Sequence, residues 1–257
     1  MNPEIDIIVK PSLRASSEKI IGMLDRSCEA VFLPLPKSLD ELVVELVLGL
    51  GYEDFVKEVR QRGILPEPVE GWLKANKPIL ENIKRIGKKM VTYCYKDSKI
   101  FYEECNTSLE LSLLSLRDSL RNKPDVGKWL EILSNERRLK QEALQRDAEI
   151  LSDEACVYSR STCIAGFEGR HIMKMLPPKF KTNLRYVDLP YHFTPLDILR
   201  REISRGDISE ERAEELIRAH LRYLREYVIP YGLDTAQEIW NRENLYWHPA
   251  FSRDRYT

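Results

Sequence analysis

The chain has 257 residues, 43% hydrophobic and 32% charged, which excludes a disordered polymer and suits one large α/β domain or two small ones. Lys and Arg number 40 against 41 Asp and Glu, so there is no general pull toward nucleic acid or an anionic membrane. The longest apolar stretch, Leu42 to Leu50, is interrupted by Glu45 and is too short to span a bilayer.

The opening Met1-Asn2-Pro3-Glu4 is acidic and polar, and the apolar run behind it is too short for a secretory leader. The five cysteines are odd in number and form no CxxC pair. Free thiols in a cytoplasmic protein are therefore expected. Cys28, Cys94 and Cys163 adjoin apolar runs and are expected to pack as small hydrophobes.

In chain order, Ile5-Asp6-Ile7-Ile8-Val9 reads as a strand closed by Lys10-Pro11-Ser12. Ser12 or Ser16 is expected to cap the helix that follows, with Ile20, Ile21 and Leu24 inward. Ala30-Val31-Phe32-Leu33 is a second strand, expected to stop at Pro34 and Pro36. Strand, helix, strand over this length predicts a parallel βαβ unit with a right-handed crossover. Ser38 with Glu41 reads as a capping box for a helix bearing Leu42, Val43, Leu46 and Val47. A second helix is expected over Tyr52 to Arg62 and a third over Val69 to Lys88, with Trp72, Ile79, Ile83 and Ile86 inward.

Met90 to Tyr95 is the third strand. Two long helices follow, Ser98 to Arg121 and Asp125 to about Ala155, separated by Asn122-Lys123-Pro124. The first bears a stripe of Leu109, Leu113, Leu116 and Leu120, too short for sustained heptads and read as core packing. The second buries Trp129, Leu133, Leu139, Leu144 and Ile150. Thr162 to Ala165 is the fourth strand. It is followed by the turn Gly166-Phe167-Glu168-Gly169 and a helix from Arg170 with Ile172, Met173 and Leu176 on one side. Leu184 to Val187 is the fifth strand. Thr194-Pro195 starts a helix that Gly206 ends, and Ser209-Glu210-Glu211 opens another running to Tyr227. The aromatic tail, with Trp240, Tyr246 and Trp247, is expected to dock on its own domain or on a partner subunit.

These elements predict an α/β fold: a mainly parallel sheet of about five strands, helices on both faces and a large helical insertion. One domain is expected over 1–257, with helical insertions at about 38–89 and 98–155 and a helical extension at about 194–257.

Ligands of open parallel sheets bind at the carboxyl ends of the strands. That rule selects Lys10, Ser12 and Arg14 after the first strand, Gly166, Gly169, Arg170 and His171 after the fourth, and His192 after the fifth. Backbone N–H groups at a helix start, with cations beside them, suit a carboxylate or phosphate. The plainer reading of each is a capped helix, an ordinary glycine turn or a structural histidine. No Gly-rich dinucleotide or phosphate-loop fingerprint is present. His220, between Arg218 and Arg222, and His248 read as surface residues.

The run Gln145-Arg146-Asp147-Ala148-Glu149-Ile150-Leu151, a strand, and then Gly166-x-x-Gly169-x-His171 resembles the arginine helix and glycine–histidine turn of the Tiki/TraB-like superfamily, which includes TraB proteins, ChaN-type haem-binding proteins and erythromycin esterases. The resemblance spans residues 5–190 in order of elements. It implies hydrolase-like chemistry with His171 and Arg146 in catalytic roles. The chain departs from the family at two positions: Lys10-Pro11-Ser12-Leu13 stands where a Gly-x-x-His motif ends the first strand, and Leu33-Pro34-Leu35-Pro36 stands where a glutamate ends the second. A metal site needs about three ligands and only His171 matches, so no metal is expected and no cofactor is indicated.

Two functions follow as expectations. One is a pocket for a small anionic ligand or a peptide at the carboxyl edge, formed by Lys10, Ser12, Arg14, Arg146, Arg170, His171 and His192. The other is a non-enzymatic homo-oligomer built through the helices and the aromatic tail. Membrane association is not expected and nucleic acid is a poor fit to the charge balance.

Overall fold

The structure is a computed structural model that describes residues 3–25, 27–206 and 208–248. Its elements are β1 (Glu4–Val9), α1 (Arg14–Met23), β2 (Ala30–Pro36), α2 (Asp40–Leu48), α3 (Tyr52–Gln61), α4 (Val69–Leu73), α5 (Lys77–Glu81), α6 (Ile83–Gly87), β3 (Val91–Lys96), α7 (Ser98–Arg121), α8 (Val126–Ala155), β4 (Arg160–Ala165), α9 (Gly169–Met175), β5 (Lys181–Tyr186), α10 (Pro195–Arg205), α11 (Glu210–Tyr223), α12 (Ile229–Tyr231) and α13 (Leu233–Asn244).

The five strands form one sheet in the order β3-β2-β4-β1-β5, and every pairing is parallel. This is the expected α/β class, with helices on both faces. β1 and β2 run parallel but are not neighbours, because β4 inserts between them, with Ile7 and Phe32 both registered on Cys163. Alternation sends Ile5, Ile7 and Val9 to one face, where they meet Phe32, Cys163, Ala165, Leu151 of α8 and Ile172 of α9. Tyr95 is fully buried in the same cluster and its hydroxyl donates to the Ile164 carbonyl at 3.1 Å. On the other side of the strand, Ile8 is equally buried, as both faces of a covered parallel sheet require.

Several local expectations are corrected. β2 continues through Pro34 to Pro36, with a register irregularity between Leu33 and Pro36 that takes up the missing N–H donors. Neither Ser12 nor Ser16 caps α1. The N-cap is Leu13, and the Ser16 hydroxyl donates back to the carbonyls of Pro11 and Leu13 at 2.6 Å. The Ser38 capping box does not form either: residues 37–39 make a 3-10 turn, and Asp40 uses its Oδ1 to accept the Cys94 N–H at 2.6 Å. The helix expected over Val69 to Lys88 is broken into α4, a 3-10 turn, α5 and α6, with Pro78 opening the middle piece.

By contact density the chain divides into two compact units, Met1–Asn106 with Leu139–Val187, and Thr107–Arg138 with Asp188–Thr257. The first holds the sheet. The second is helical, with Leu111, Leu114, Trp129, Ile132, Leu133, Leu199, Ile203, Leu216 and Ile217 at its centre. Thr194 and Asp197 form a full capping box at the start of α10, and Gly206 ends it at φ 86°. Glu136 and Arg200 make a bidentate pair at 2.8 Å on both arms.

The leucine stripe of α7 is not core, contrary to expectation. Leu111 and Leu114 turn inward, and Leu113, Leu116 and Leu120 face solvent. His220 is likewise corrected from surface to core. Its ring packs edge-on against Trp129 at 5.8 Å and over Tyr223 at 6.5 Å. In the tail, Trp240 packs edge-on against Tyr223 at 5.2 Å and Tyr227 at 5.6 Å, while Tyr246 and Trp247 are exposed. The rest of the tail, from Pro249, lies outside the described residues.

Candidate functional site: a lysine–carboxylate centre at the carboxyl edge

Because all five strands are parallel, their carboxyl ends share one edge of the sheet. Lys10 follows β1 and donates its backbone N–H to the Ala165 carbonyl at 2.9 Å, while Val187 donates to Val9 at 2.9 Å. β3 ends in Lys96, and β4 runs into the turn that carries Glu168.

Lys96 is the centre of this edge. Its Nζ lies 2.9 Å from Asp147 Oδ2 of α8 and 2.9 Å from Glu168 Oε1. The side chains of Lys96, Asp147 and Glu168 are 14%, 2% and 38% exposed. The second oxygen of Asp147 accepts the backbone N–H of Asp97 at 3.0 Å, and Glu168 Oε1 also accepts the N–H of Gly166 at 3.2 Å. Asp97 in turn caps α7, its Oδ1 accepting the Ile100 N–H at 3.0 Å. α7 then runs on past Glu104, a half-buried residue whose carboxyl feels the charges of Lys96, Lys140, Asp147 and Glu168.

These groups are driven apart electrostatically. Burial opposes ionisation of Glu168, but the charge and hydrogen bond of Lys96, with backbone N–H donors, override it and bring the carboxyl down to about 2. Lys96 moves the other way: burial works against its charge, and Glu168, Tyr95 and Asp147 overcome it, so it is held well above the ordinary lysine range. For Asp147, burial outweighs Lys96 and raises the carboxyl. Glu104 is pushed up to about 7, by burial first and by the negative charges of Asp147 and Glu168, against the pull of Lys96 and Lys140.

The two glycines of the turn each stand against close neighbours. A Cβ on Gly166 would run into Glu168 Oε2, so the glycine makes room for the carboxylate that folds back onto the Gly166 N–H. A Cβ on Gly169 would meet Val9 Cγ2 at 2.8 Å, Ala165 Cβ at 3.0 Å and Ile7 Cγ2 at 3.1 Å. Gly169 therefore lets α9 sit directly on β1 and β4. Gly169→Ala is expected to cost about 1–3 kcal/mol of unfolding free energy in a denaturant titration, as overpacking does. A cost below about 0.5 kcal/mol would show that α9 yields freely.

The other expected residues have these surroundings. Lys10 is buried; Ser12 and Arg14 are exposed, and Arg14 Nε pairs with Glu18 at 3.2 Å. Arg170 and His171 are exposed, and the His171 backbone N–H donates to the Glu168 carbonyl at 2.7 Å. Arg146 is exposed and pairs with Glu149 at 3.0 Å. His192 belongs to the second unit, where its backbone N–H donates to Asn241, its carbonyl accepts from Gln237, and its ring lies 6.0 Å from that of Trp240. Lys96, Asp147, Glu168 and Glu104 were not among the candidates. The available signals were a lysine ending a strand, an Asp inside Gln145-Arg146-Asp147, and a Glu inside a glycine-bracketed turn.

A groove of about 340 Å³ runs along α8 and the end of α9, lined by Gln145, Glu149, Ser152, Asp153, Met175 and Pro177. None of the expected site residues lines it. Among the described residues no group of three His, Cys, Asp or Glu is arranged to hold a metal ion, and no helix is long and apolar enough to cross a membrane. No family model, curated protein or solved structure matches the chain.

Proposed function

We propose that the protein is a hydrolase-like α/β enzyme whose working groups lie at the carboxyl edge of the sheet, with Glu104 as the proton-exchanging carboxyl and Lys96 as a fixed positive charge. The observation that carries this reading is one lysine held 2.9 Å from two carboxylates at the end of the sheet, with burial pushing a further carboxyl, Glu104, up to about 7 while Lys96 holds Glu168 down. Environments that split paired titratable groups are how acid and base roles are assigned within a site. Near neutral pH Glu104 is divided between its two forms and can give or take a proton, whereas Glu168 stays a carboxylate. Lys96 stays an ammonium, so its contribution is electrostatic and not nucleophilic.

The charge balance also narrows the ligand. Lys96 pairs with the carboxylates of Asp147 and Glu168, its charge acts on Glu104, and Glu168 already occupies the Gly166 N–H. A free phosphate or carboxylate is repelled there, and a neutral or cationic group, such as the amine end or amide of a peptide, is favoured. The Tiki/TraB-like resemblance supports a hydrolytic reaction. It draws on the pair Arg146-Asp147, of which the buried Asp147 builds this centre. Four buried free thiols and one exposed one support a cytoplasmic setting.

Glu104→Gln tests the reading against chromogenic ester and peptide-anilide substrates. Turnover by the native protein is expected, with kcat reduced at least about 100-fold in the variant. The same variant is expected to be more stable above about pH 7. In the native protein the raised carboxyl favours its protonated form, so ionising it as pH rises through about 7 costs stability, and glutamine has no such cost. No turnover of either substrate class by the native protein, or undiminished activity in the variant, would rule out the assignment.

The second reading is a non-enzymatic interaction protein that has lost the family's catalytic motifs. The exposed leucines of α7, with exposed Tyr246 and Trp247, favour it.

A further inference from the structure

The second half of α7 carries an apolar line that the fold leaves open. Leu113, Leu116 and Leu120 are 67%, 58% and 80% exposed, and Leu109, a turn earlier, is half-buried. The steps between the four leucines alternate four, three and four residues, the spacing of a coiled-coil seam. Leu111, Leu114 and Asp118 point to the opposite side and are buried in the second unit, so the helix is amphipathic toward its own core and apolar again toward solvent. The flanks of the seam are sparse: Glu110 and Arg117 on one side, Ser112 and Ser119 on the other. Arg117 is fixed on its flank by bonds to Asp118 at 2.9 Å and Asp125 at 3.1 Å.

We propose that this seam is a two-fold contact between two copies of the chain, with α7 packed antiparallel on α7. In that arrangement Leu113 faces the second copy's Leu116 and Leu109 faces the second copy's Leu120, so every layer is leucine on leucine. The same operation sets Glu110 against the second copy's Arg117, twice by symmetry, and Ser112 against the second copy's Ser119 on the other flank. A contact around a two-fold axis must be self-complementary in this way. A parallel pairing places Ser112 beside Arg117 and leaves each charge only the partners it has in its own chain, Lys128 at 3.9 Å for Glu110 and Asp118 and Asp125 for Arg117, whereas the antiparallel copy adds a cross-copy pair on one flank, which is why it is favoured. The seam from 109 to 120 is about 17 Å long, short for the roughly 1,200–2,000 Å² of a stable complex. A reversible dimer is therefore expected, not a permanent one.

The test is the solution mass of the full chain by sedimentation. The expected result is twice the 30.1 kDa chain mass at about 100 μM protein, falling to the single-chain mass on dilution. Leu116→Glu is expected to remain single at every concentration with an unchanged far-ultraviolet spectrum and melting temperature, since the replaced side chain lies in solvent. Glu110→Lys, which also removes the 3.9 Å pair with Lys128 of its own chain, sets like charges against the second copy's Arg117 and is expected to raise the dissociation constant at least about 10-fold at low salt, an effect that fades as salt screens the pair, while its melting temperature reports any loss within the single chain. Leu48→Glu, at an equally open position (78% exposed) away from the seam, is expected to dimerise as the native chain does. A native protein that stays at the single-chain mass throughout, a dimer that survives Leu116→Glu, or one that Leu48→Glu breaks equally well would overturn the proposal.

Discussion

Replacing Lys96 with methionine is expected to lower the unfolding free energy by about 3 kcal/mol, at the low end of what breaking a buried ion pair costs. The ammonium serves two carboxylates at once, each at 2.9 Å. Asp147, at 2% exposure, would keep only the Asp97 N–H as a partner. Glu168 is 38% exposed and recovers some hydration, which is why the expected loss is not larger. The pH dependence has a definite sign. Glu168 is held below its ordinary range, so its stabilisation is present above the usual glutamate pKa and disappears as pH falls toward 2. The difference between native and variant proteins should therefore shrink in acid, where protonated carboxyls need no ammonium. Adding Asp147→Asn to Lys96→Met should restore most of the loss, since the amide oxygen still accepts from Asp97. Urea titrations of the three proteins at neutral and acid pH provide the check. A loss under about 1 kcal/mol, or no recovery in the double variant, would show that the centre is already solvated.

What was legible in the sequence, and what was not, follows the range of the forces involved. Strands such as Ile5 to Val9 and Thr162 to Ala165 announce themselves by short β-branched runs, and short runs divided by helical periods lead directly to a parallel sheet. The insertion of β4 between β1 and β2 depends on which face each crossover takes, and no local pattern records it. The α7 leucines show the limit of periodicity: a repeat states that a face is apolar and not that anything covers it. Leu111 and Leu114, off the obvious stripe, were the residues that the second unit buried. At the carboxyl edge, parallel topology puts the turn after β4 beside the end of β1, but residue type alone does not tell which side chains are buried there. Histidine and arginine drew attention as reactive groups, and both His171 and Arg146 lie in solvent. The ion-paired cluster is Lys96, Asp147 and Glu168, ordinary surface residue types whose environment becomes visible only when three distant segments meet.

His220 was misread from sequence for the same reason, since two flanking arginines suggest a wet helix face. Its burial makes a second large effect expected, this time in the helical unit. The ring is enclosed by Trp129 and Tyr223, and its Nδ1 has no hydrogen-bond partner. Burial first, then the positive charge of Arg200, lower the imidazole to about 4, with Asp197 pulling weakly the other way. The neutral ring is thus the form the fold accepts. Its full stability is present above the usual histidine pKa of about 6.5 and is lost as pH falls toward about 4, because the unfolded chain binds the proton first. At about 1.4 kcal/mol per pH unit this single group accounts for about 3 kcal/mol across that window. His220→Phe keeps an aromatic ring against Trp129 and Tyr223 and cannot take up a proton. Its unfolding free energy should therefore fall far less between pH 6.5 and 4.5 than that of the native protein, and the variant should be the more stable of the two at pH 4.5. Most carboxylates titrate below this window, so the difference between the two curves isolates the histidine. Urea titrations at half-unit steps of pH give the measurement, and two parallel curves would mean that His220 is solvated when the protein is folded.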